Sequence, residues 1–287
     1  MKKWSIAIAI VSCALIESSS AQFSPAFLQN DSYWGDGKAE FDFYDAQILR
    51  EGQPRQCEVL HIAIREPFDP KQWVKVEDWK KPDVVPVVKL NQILNVPMGV
   101  YVQQQMHSSY WKIGNGMLLK WSLTHSDSFG NTFKEVRRLG DQLAFNWHTY
   151  SDGTADGSEN ISPPLNGYFY DELPLRVRTI DFSKPTGEFE IQLAPTVINS
   201  KKDTITFKSA KVSFTATERK IDISVQHAGG TDKFVLDGHF PFLLREWNAA
   251  DGSRLKLKNS LKMDYWNYGR NGDRERALKN PMLGHPD

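Results

Sequence analysis

Apolar and polar residues alternate in short runs along most of the chain, the two-residue period of a half-buried strand. The pattern is longest over residues 33–68. There Ala39, Phe41 and Phe43 point one way and Lys38, Glu40 and Asp42 the other; beyond Phe43 the apolar phase moves to Tyr44, Ala46 and Ile48. A one-residue slip turns every later side chain to the opposite face, so a β-bulge is expected near Phe43 and Tyr44. After Arg50-Glu51-Gly52-Gln53-Pro54 a second run puts Leu60, Ile62 and Ile64 on one face. Together the runs predict a long, bent antiparallel hairpin around which the rest of the chain is organised.

Residues 67–86 are polar and broken by prolines at 67, 70, 82 and 86, which leaves room for one short strand at 73–76. From Val87 onward turn residues recur at the spacing of an antiparallel meander. They are Gly114-Asn115-Gly116, Gly130-Asn131, Gly140-Asp141, residues 152–158, residues 201–203, Gly229-Gly230 and Asp251-Gly252. The last pair suits a type I′ turn, whose two central residues both need positive φ. Between the turns Met117, Leu119, Trp121 and Leu123 share a face, as do Leu143, Phe145 and Trp147, and Ile221, Ile223 and Val225. In the closing hairpin, residues 240–266, Leu255 and Leu257 face the core while Arg254, Lys256 and Lys258 face water; Leu261, Met263 and Tyr265 share a face beyond them. Only residues 170–180 and 272–280 look helical, and the first stretch is limited by Pro174. The expected fold is mainly β: a single curved antiparallel sheet, half-barrel or barrel-like, of roughly ten or more strands, with one short internal helix. No repeat and no shift of composition divides residues 22–287, which are read as one domain.

A chain of 287 residues can bury a sizeable core without a staple. Lys+Arg and Asp+Glu both total 35 and no long basic block occurs, so there is no electrostatic ground for nucleic acid as a partner. Residues 1–21 read as a signal peptide: Lys2 and Lys3, then an apolar stretch to Ile16 that is too short to span a bilayer, then Ser19-Ser20-Ala21. An extracytoplasmic location, periplasmic or secreted, follows as the expectation. Ile10-Val11-Ser12-Cys13 resembles a lipobox, and membrane attachment is expected only if Cys13 is lipidated. The apolar run continues through Ala14-Leu15-Ile16, which favours ordinary cleavage before Gln22. Cys57 then has no partner for an intramolecular disulfide and suits a strand better than a nucleophile's position.

Several short stretches carry a family likeness. Tyr33-Trp34, Gly37-Lys38-Ala39-Glu40, Val59-Leu60, Glu66-Pro67-Phe68, Val88-Lys89-Leu90-Asn91, Gly99-Val100-Tyr101, Ser108-Ser109-Tyr110, Leu173-Pro174-Leu175 and the 240–266 hairpin are among them. Together they resemble a group of exported bacterial proteins and lipoproteins of unknown function, some of which carry the misleading label of septum formation inhibitor. The likeness covers most of the mature chain and implies export and β structure, without a catalytic residue. Members often have Trp-Cys-Gly where this chain has Ser128-Phe129-Gly130, so no thiol site carries over. In element order the chain is also loosely similar to periplasmic lipoprotein carriers, curved half-barrels around a short helix. Such an analogy does not by itself give function.

The candidate chemistry is thin. Seven histidines show no short metal-ligand spacing, and His61 and His148 read as hydrogen-bonded sheet residues. Asp152, Thr154, Asp156, Gly157 and Ser158 mimic the start of a calcium loop, but Pro163 stands where the bidentate acid belongs. Gly35-Asp36-Gly37-Lys38 lacks the rest of a phosphate loop, and no G-x-S-x-G elbow occurs. Glu40 and Asp42, about 7 Å apart along one strand, read as an exposed charged face. No catalytic residue, metal or cofactor is therefore expected. The aromatic residues are the most suggestive feature. Tyr101, Tyr110, Trp111, Trp121 and Trp147, with Trp247 and Trp266, suit a sheet core, and the first five are the candidates for lining a pocket for an amphiphilic or hydrophobic ligand. A binding or carrier protein with an apolar groove is the reading these residues favour. The alternative is an extracytoplasmic hydrolase whose site is assembled from residues distant in sequence.

Overall fold

The paired runs of residues 33–68 form a hairpin at the centre of a sixteen-stranded sheet in this computed structural model. The structure describes residues 22–202, 204–277 and 279; the expected signal segment with Cys13 lies outside the described residues. In chain order the strands of the first half are β1 (Ala39–Arg50), β2 (Gln53–Asp69), β3 (Val74–Lys75), β4 (Val85–Pro97), β5 (Val102–Lys112), β6 (Leu118–Ser126), β7 (Asn131–Leu139), β8 (Gln142–His148) and β9 (Asp156–Ile161). The second half contains β10 (Gly167–Phe169), β11 (Thr186–Ala194), β12 (Lys208–Ala216), β13 (Lys220–His227), β14 (Gly230–Asp237), β15 (Leu244–Asn248) and β16 (Arg254–Met263). Across the sheet the order runs from β10 to β16, then β1, β2, β4 and onward to β9, with β3 paired to β2 alone. All pairings are antiparallel except β10 with β11. The fold is thus the expected single, open, curved sheet.

Turn chemistry explains the hairpin. Glu51 and Gly52 have φ of 52° and 71°, the left-handed pair that a two-residue turn matched to strand twist requires. At Asp251-Gly252 only Gly252 is left-handed, because the turn there is longer and closes from Ala249 to Ser253. The register between β1 and β16 shifts at Phe43/Tyr44, where the change of apolar phase places it. The added residue is Lys258 of β16, however, since Phe43 pairs with Asn259 and Tyr44 with Leu257. Strand β1 itself alternates without interruption. Ala39, Phe41 and Phe43 lie on the convex side, packed with Ile62, Leu261, Met263 and Ala277 of the short helix Asp273–Ala277. Glu40, Asp42, Tyr44, Ala46 and Ile48 point to the concave side. Its phase changes because β1 is buried on both faces along its first half. Glu40 and Asp42 are consequently buried, not on the exposed charged face expected of them.

A second bulge corrects another expectation. Tyr110 pairs with Lys120 and Trp111 with Leu118, so Leu119 is the extra residue of β6. Leu118 joins Trp121 and Leu123 in the concave core, while Leu119 packs outside against Phe68, Trp73 and Val87.

The concavity is filled by residues 170–179, a one-turn 3-10 helix, then the short α-helix Leu173–Arg176, then another 3-10 turn. Pro174 sits in the first turn of that α-helix, where no amide is needed for an intrahelical bond. Leu173 and Val177 pack into the cluster built mainly by β11–β16. Leu175 faces the other way, into the cluster of Trp111, Trp121, Phe145 and Trp147. The connection over residues 195–207 crosses the inner face of β5 and β7. Its carbonyls accept hydrogen bonds from Gln105 Nε2 (to Ile198, 2.6 Å), Lys134 Nζ (to Val197, 3.0 Å) and Thr132 Oγ1 (to Ser200, 3.0 Å).

Candidate functional site

Register aligns one row of side chains across the concave face. Ser260 pairs with Asp42, Asp42 with His61, His61 with Gln92, Gln92 with His107, His107 with Leu123 and Leu123 with Lys134. Leu123 is the one apolar member of a band that runs beneath the helical segment through an otherwise apolar interior.

Most of these polar groups are satisfied within the protein. Arg178 grips Glu40 through two hydrogen bonds of 2.6 and 2.8 Å and also donates to the Pro241 carbonyl at 2.9 Å. Burial pushes the Glu40 carboxyl up, but the Arg178 guanidinium outweighs it and holds the group below the ordinary carboxylate range. Asp42 accepts from Ser260 Oγ at 2.5 Å. Burial, reinforced by the Glu40 charge, drives its carboxyl well above the usual range. Tyr33 donates its hydroxyl to Glu40. Farther along the helical segment, Arg176 and Trp111 Nε1 both donate to Glu172, at 2.7 and 2.6 Å. Asp171 accepts from Thr196 Oγ1 at 2.5 Å and from the Val197 amide at 3.0 Å, and Gln92 Nε2 donates to the Asp171 carbonyl at 2.9 Å. These bonds hold the helical segment in its sheet.

Among the exceptions, which include the Tyr44 hydroxyl and Trp121 Nε1, are three imidazoles. His61 Nε2, both ring nitrogens of His107 and His125 Nδ1 are buried without a well-formed hydrogen bond in the protein, although the Asp171 backbone approaches His107 and Asp127 bonds His125 Nε2 at 3.1 Å. His61 and His107 are each 4% exposed and His125 is 6% exposed. Burial pushes His61 down to about 3, helped by His107 and Arg178, and pushes His107 down to about 3 against a weak pull from the Asp171 backbone. Both rings are neutral at physiological pH, and each offers one donor and one acceptor.

All three histidines line a cavity of about 350 Å³ between the sheet and the helical segment. Gln92 and Asp171 share its inner end, while Ile48, Val59, Leu94, Pro174, Trp247 and Leu255 supply apolar walls. Glu51 and Asp251, on the turns after β1 and β15, line it with Arg50 at the end of β1 and Arg254 at the start of β16; Arg50 donates to Gln105 Oε1 at 3.2 Å and to the Leu49 carbonyl at 3.0 Å. A cavity of this size, mostly apolar with a few converging polar groups, has the makeup of a small-ligand site.

The aromatic candidates lie elsewhere. Trp111 and Trp121 are fully buried core, and Trp147 joins them. Tyr110 packs on the convex side between Phe68, Lys89 and Lys120. Tyr101 stacks edge-on against Phe129 near the end of β4. None of the five lines the cavity; Trp247, donating Nε1 to Asp232 at 2.9 Å, does. His148 is exposed and bonded to Asp156 at 2.8 Å, and Asp36 of the discarded phosphate-loop lookalike pairs with Lys262 at 2.9 Å. Among the described residues no group of three or more His, Cys, Asp or Glu gathers in a way that could hold a metal ion.

No family model matches the chain, and no curated protein does. Among solved structures the chain is similar to a β-barrel-like protein of a domain of unknown function, DUF1849, from Brucella abortus. That match has a TM-score of 0.45 and 7% identity over 79% of this chain and 98% of that one. A DUF1089 family protein from Pseudomonas aeruginosa matches with a TM-score of 0.37 and 12% identity over 55% of this chain and 82% of that one. The likeness is one of loose fold.

Proposed function

We propose that the chain is an exported, non-enzymatic binding or carrier protein whose cavity takes a hydrophobic or amphiphilic group. The observation that carries this reading is the 350 Å³ cavity itself, with apolar walls and imidazole nitrogens that lack a well-formed hydrogen bond in the protein. A buried polar atom without a partner costs roughly 1–3 kcal/mol, so a fold that retains several around one cavity gains when something bonds to them. Export is supported by the basic, apolar and small-residue order of residues 1–21. The test is the fluorescence of N-phenylnaphthylamine, an uncharged dye that brightens in apolar sites. The purified protein should bind it stoichiometrically, and Ile198→Trp, which places an indole at the cavity wall, should abolish binding while leaving the thermal melt intact. Native mass spectrometry of protein purified from its own envelope would identify the natural occupant, and intact mass would show whether the chain begins at Gln22 or at an acylated Cys13.

One observation favours the hydrolase reading: His61, His107 and His125 meet Asp171 around one cavity although they are distant in sequence. Against it, the nearby carboxylates have other partners: Glu40 holds Arg178, Asp42 holds Ser260, and Asp171 holds Thr196 and the Val197 amide. Asp127 bonds His125 Nε2 at 3.1 Å, but no carboxylate orients His61 or His107 as a general base. Hydrolysis of short acyl esters that is lost in His107→Leu would replace the binding reading with the enzymatic one.

A further inference from the structure

The cavity's chemistry is uneven in a way that bears on the head of its ligand, if the binding reading holds. Its apolar walls come from β1, β2, β4, β15, β16 and Pro174, and its partnerless nitrogens from β2, β5 and β6, with the His61–Gln92–His107 row one step deeper in register than Val59 and Leu94. His61 and His107 flank Gln92, which puts their backbones about 10 Å apart at the usual strand spacing. Between them they present His61 Nε2 and both His107 nitrogens. Gln92 is held in place by its bond to the Asp171 carbonyl. The charged groups near the inner end are all engaged. Arg178 is bound to Glu40 and the Pro241 carbonyl, and Asp171 is bonded to Thr196 and the Val197 amide. Of the cations that line the cavity, Arg254 is exposed, and Arg50 is engaged by Gln105 Oε1 at 3.2 Å and the Leu49 carbonyl at 3.0 Å.

We propose that the cavity binds an amphiphile head-first, and that the His61–Gln92–His107 row selects an uncharged head able to both donate and accept a hydrogen bond. Neutral imidazoles match such a head atom for atom. A charged head would be buried beside groups that carry no compensating charge, which is far more costly than burying a hydroxyl or amide. The tail then lies along Val59, Leu94, Leu255 and Trp247. At about 350 Å³ the cavity lies at the small end of the range for small-ligand sites, which suits a ten-carbon chain with a small head. Alcohol and primary amide heads share this chemistry; decanoate and a quaternary ammonium of equal tail length do not.

The test is displacement of N-phenylnaphthylamine from the full mature chain at neutral pH by decanol, decanamide, decanoate and decyltrimethylammonium. Decanol and decanamide should compete at least about tenfold more effectively than either ion, the penalty expected for an unpaired buried group. Whichever of the two neutral heads competes better identifies the source of the head chemistry. In the His61→Leu/His107→Leu double variant that preference should collapse to within about threefold, while the dye still binds, because leucine keeps the volume and removes the hydrogen bonds. Equal or stronger competition by decanoate or decyltrimethylammonium with the unaltered protein overturns the head assignment, and that comparison does not depend on any variant folding. A preference that survives the double substitution also overturns it. If neither the dye nor any decyl compound binds, the carrier reading itself fails along with it.

Discussion

At the scale of single residues, His61 and His107 make the fold sensitive to acid. Burial holds each ring near 3, against about 6.5 in an unfolded chain. Between those values the unfolded chain takes up protons that the folded one does not, so the folded state loses stability as pH drops through this window and keeps its full stability above it. Asp42 works in the opposite sense. Its raised pKa contributes stability at low pH that is lost as pH climbs through the folded value. Urea melts of the parent and of His61→Leu/His107→Leu separate the two effects. Between about pH 7.5 and about pH 4.5 the parent should lose clearly more stability than the double variant. Equal losses would mean that the rings are not held neutral by burial. The same residues show what the sequence hides. His61 and Glu40 sit in a hairpin whose alternation is plain, yet alternation only says which side chains share a face. It does not say that both faces are covered, and here Phe41 is buried on one side and Glu40 on the other.

At the scale of elements, β16 illustrates how far the pattern reaches. Leu255 is 4% exposed and Leu257 half-buried, and Arg254, Lys256 and Lys258 are exposed, as their alternation predicts. Leu255→Ala should cost roughly 2–5 kcal/mol, as for a buried leucine, and Leu257→Ala less. Lys256→Ala should stay within about 0.5 kcal/mol. Denaturant midpoints of the three variants rank them, and a larger loss from Lys256 would reverse the assigned faces. Most turn positions and the short helix with Pro174 were legible because turn residues and strand period are local signals. The bulge residues Leu119 and Lys258 were not, because a bulge is a property of a pair of strands and the partner is invisible from either run alone. The cavity was hidden for the same reason: His61, Gln92 and His107 become neighbours only through the pairing of β2, β4 and β5.

At the scale of the whole molecule, β16 joins the two halves of the sheet, with β15 on one side and β1 on the other. Truncation before Gly252 would remove it, expose Tyr44, Leu244 and the convex cluster around Phe41, and leave the long edge of β1 unpaired. Such an edge is a template for pairing with other chains. The truncated protein should elute as aggregate in size-exclusion chromatography while the full chain elutes as a discrete species; a discrete, cooperatively melting truncate would show that the halves do not depend on this seam.

The edges of the sheet carry a further consequence. Strands β9 and β10 lie at its opposite ends in space, yet only residues 162–166 separate them in sequence. At about 3.3–3.6 Å per residue those ends cannot stand much more than 20 Å apart, so the curl is enforced by a short covalent tether. Pro163 and Pro164 occupy that tether and donate no amide hydrogen to a ladder, which suits a gap left unsealed. Traced as a circle, the strands follow one another in order all the way round, with the hydrogen-bonded break at the prolines and the covalent break beside the β16–β1 seam. Apart from the parallel β10–β11 pair, the molecule is in effect a circular permutant of a meander, each half built from pairings between neighbours in sequence and the two halves joined by one pairing, β16 with β1.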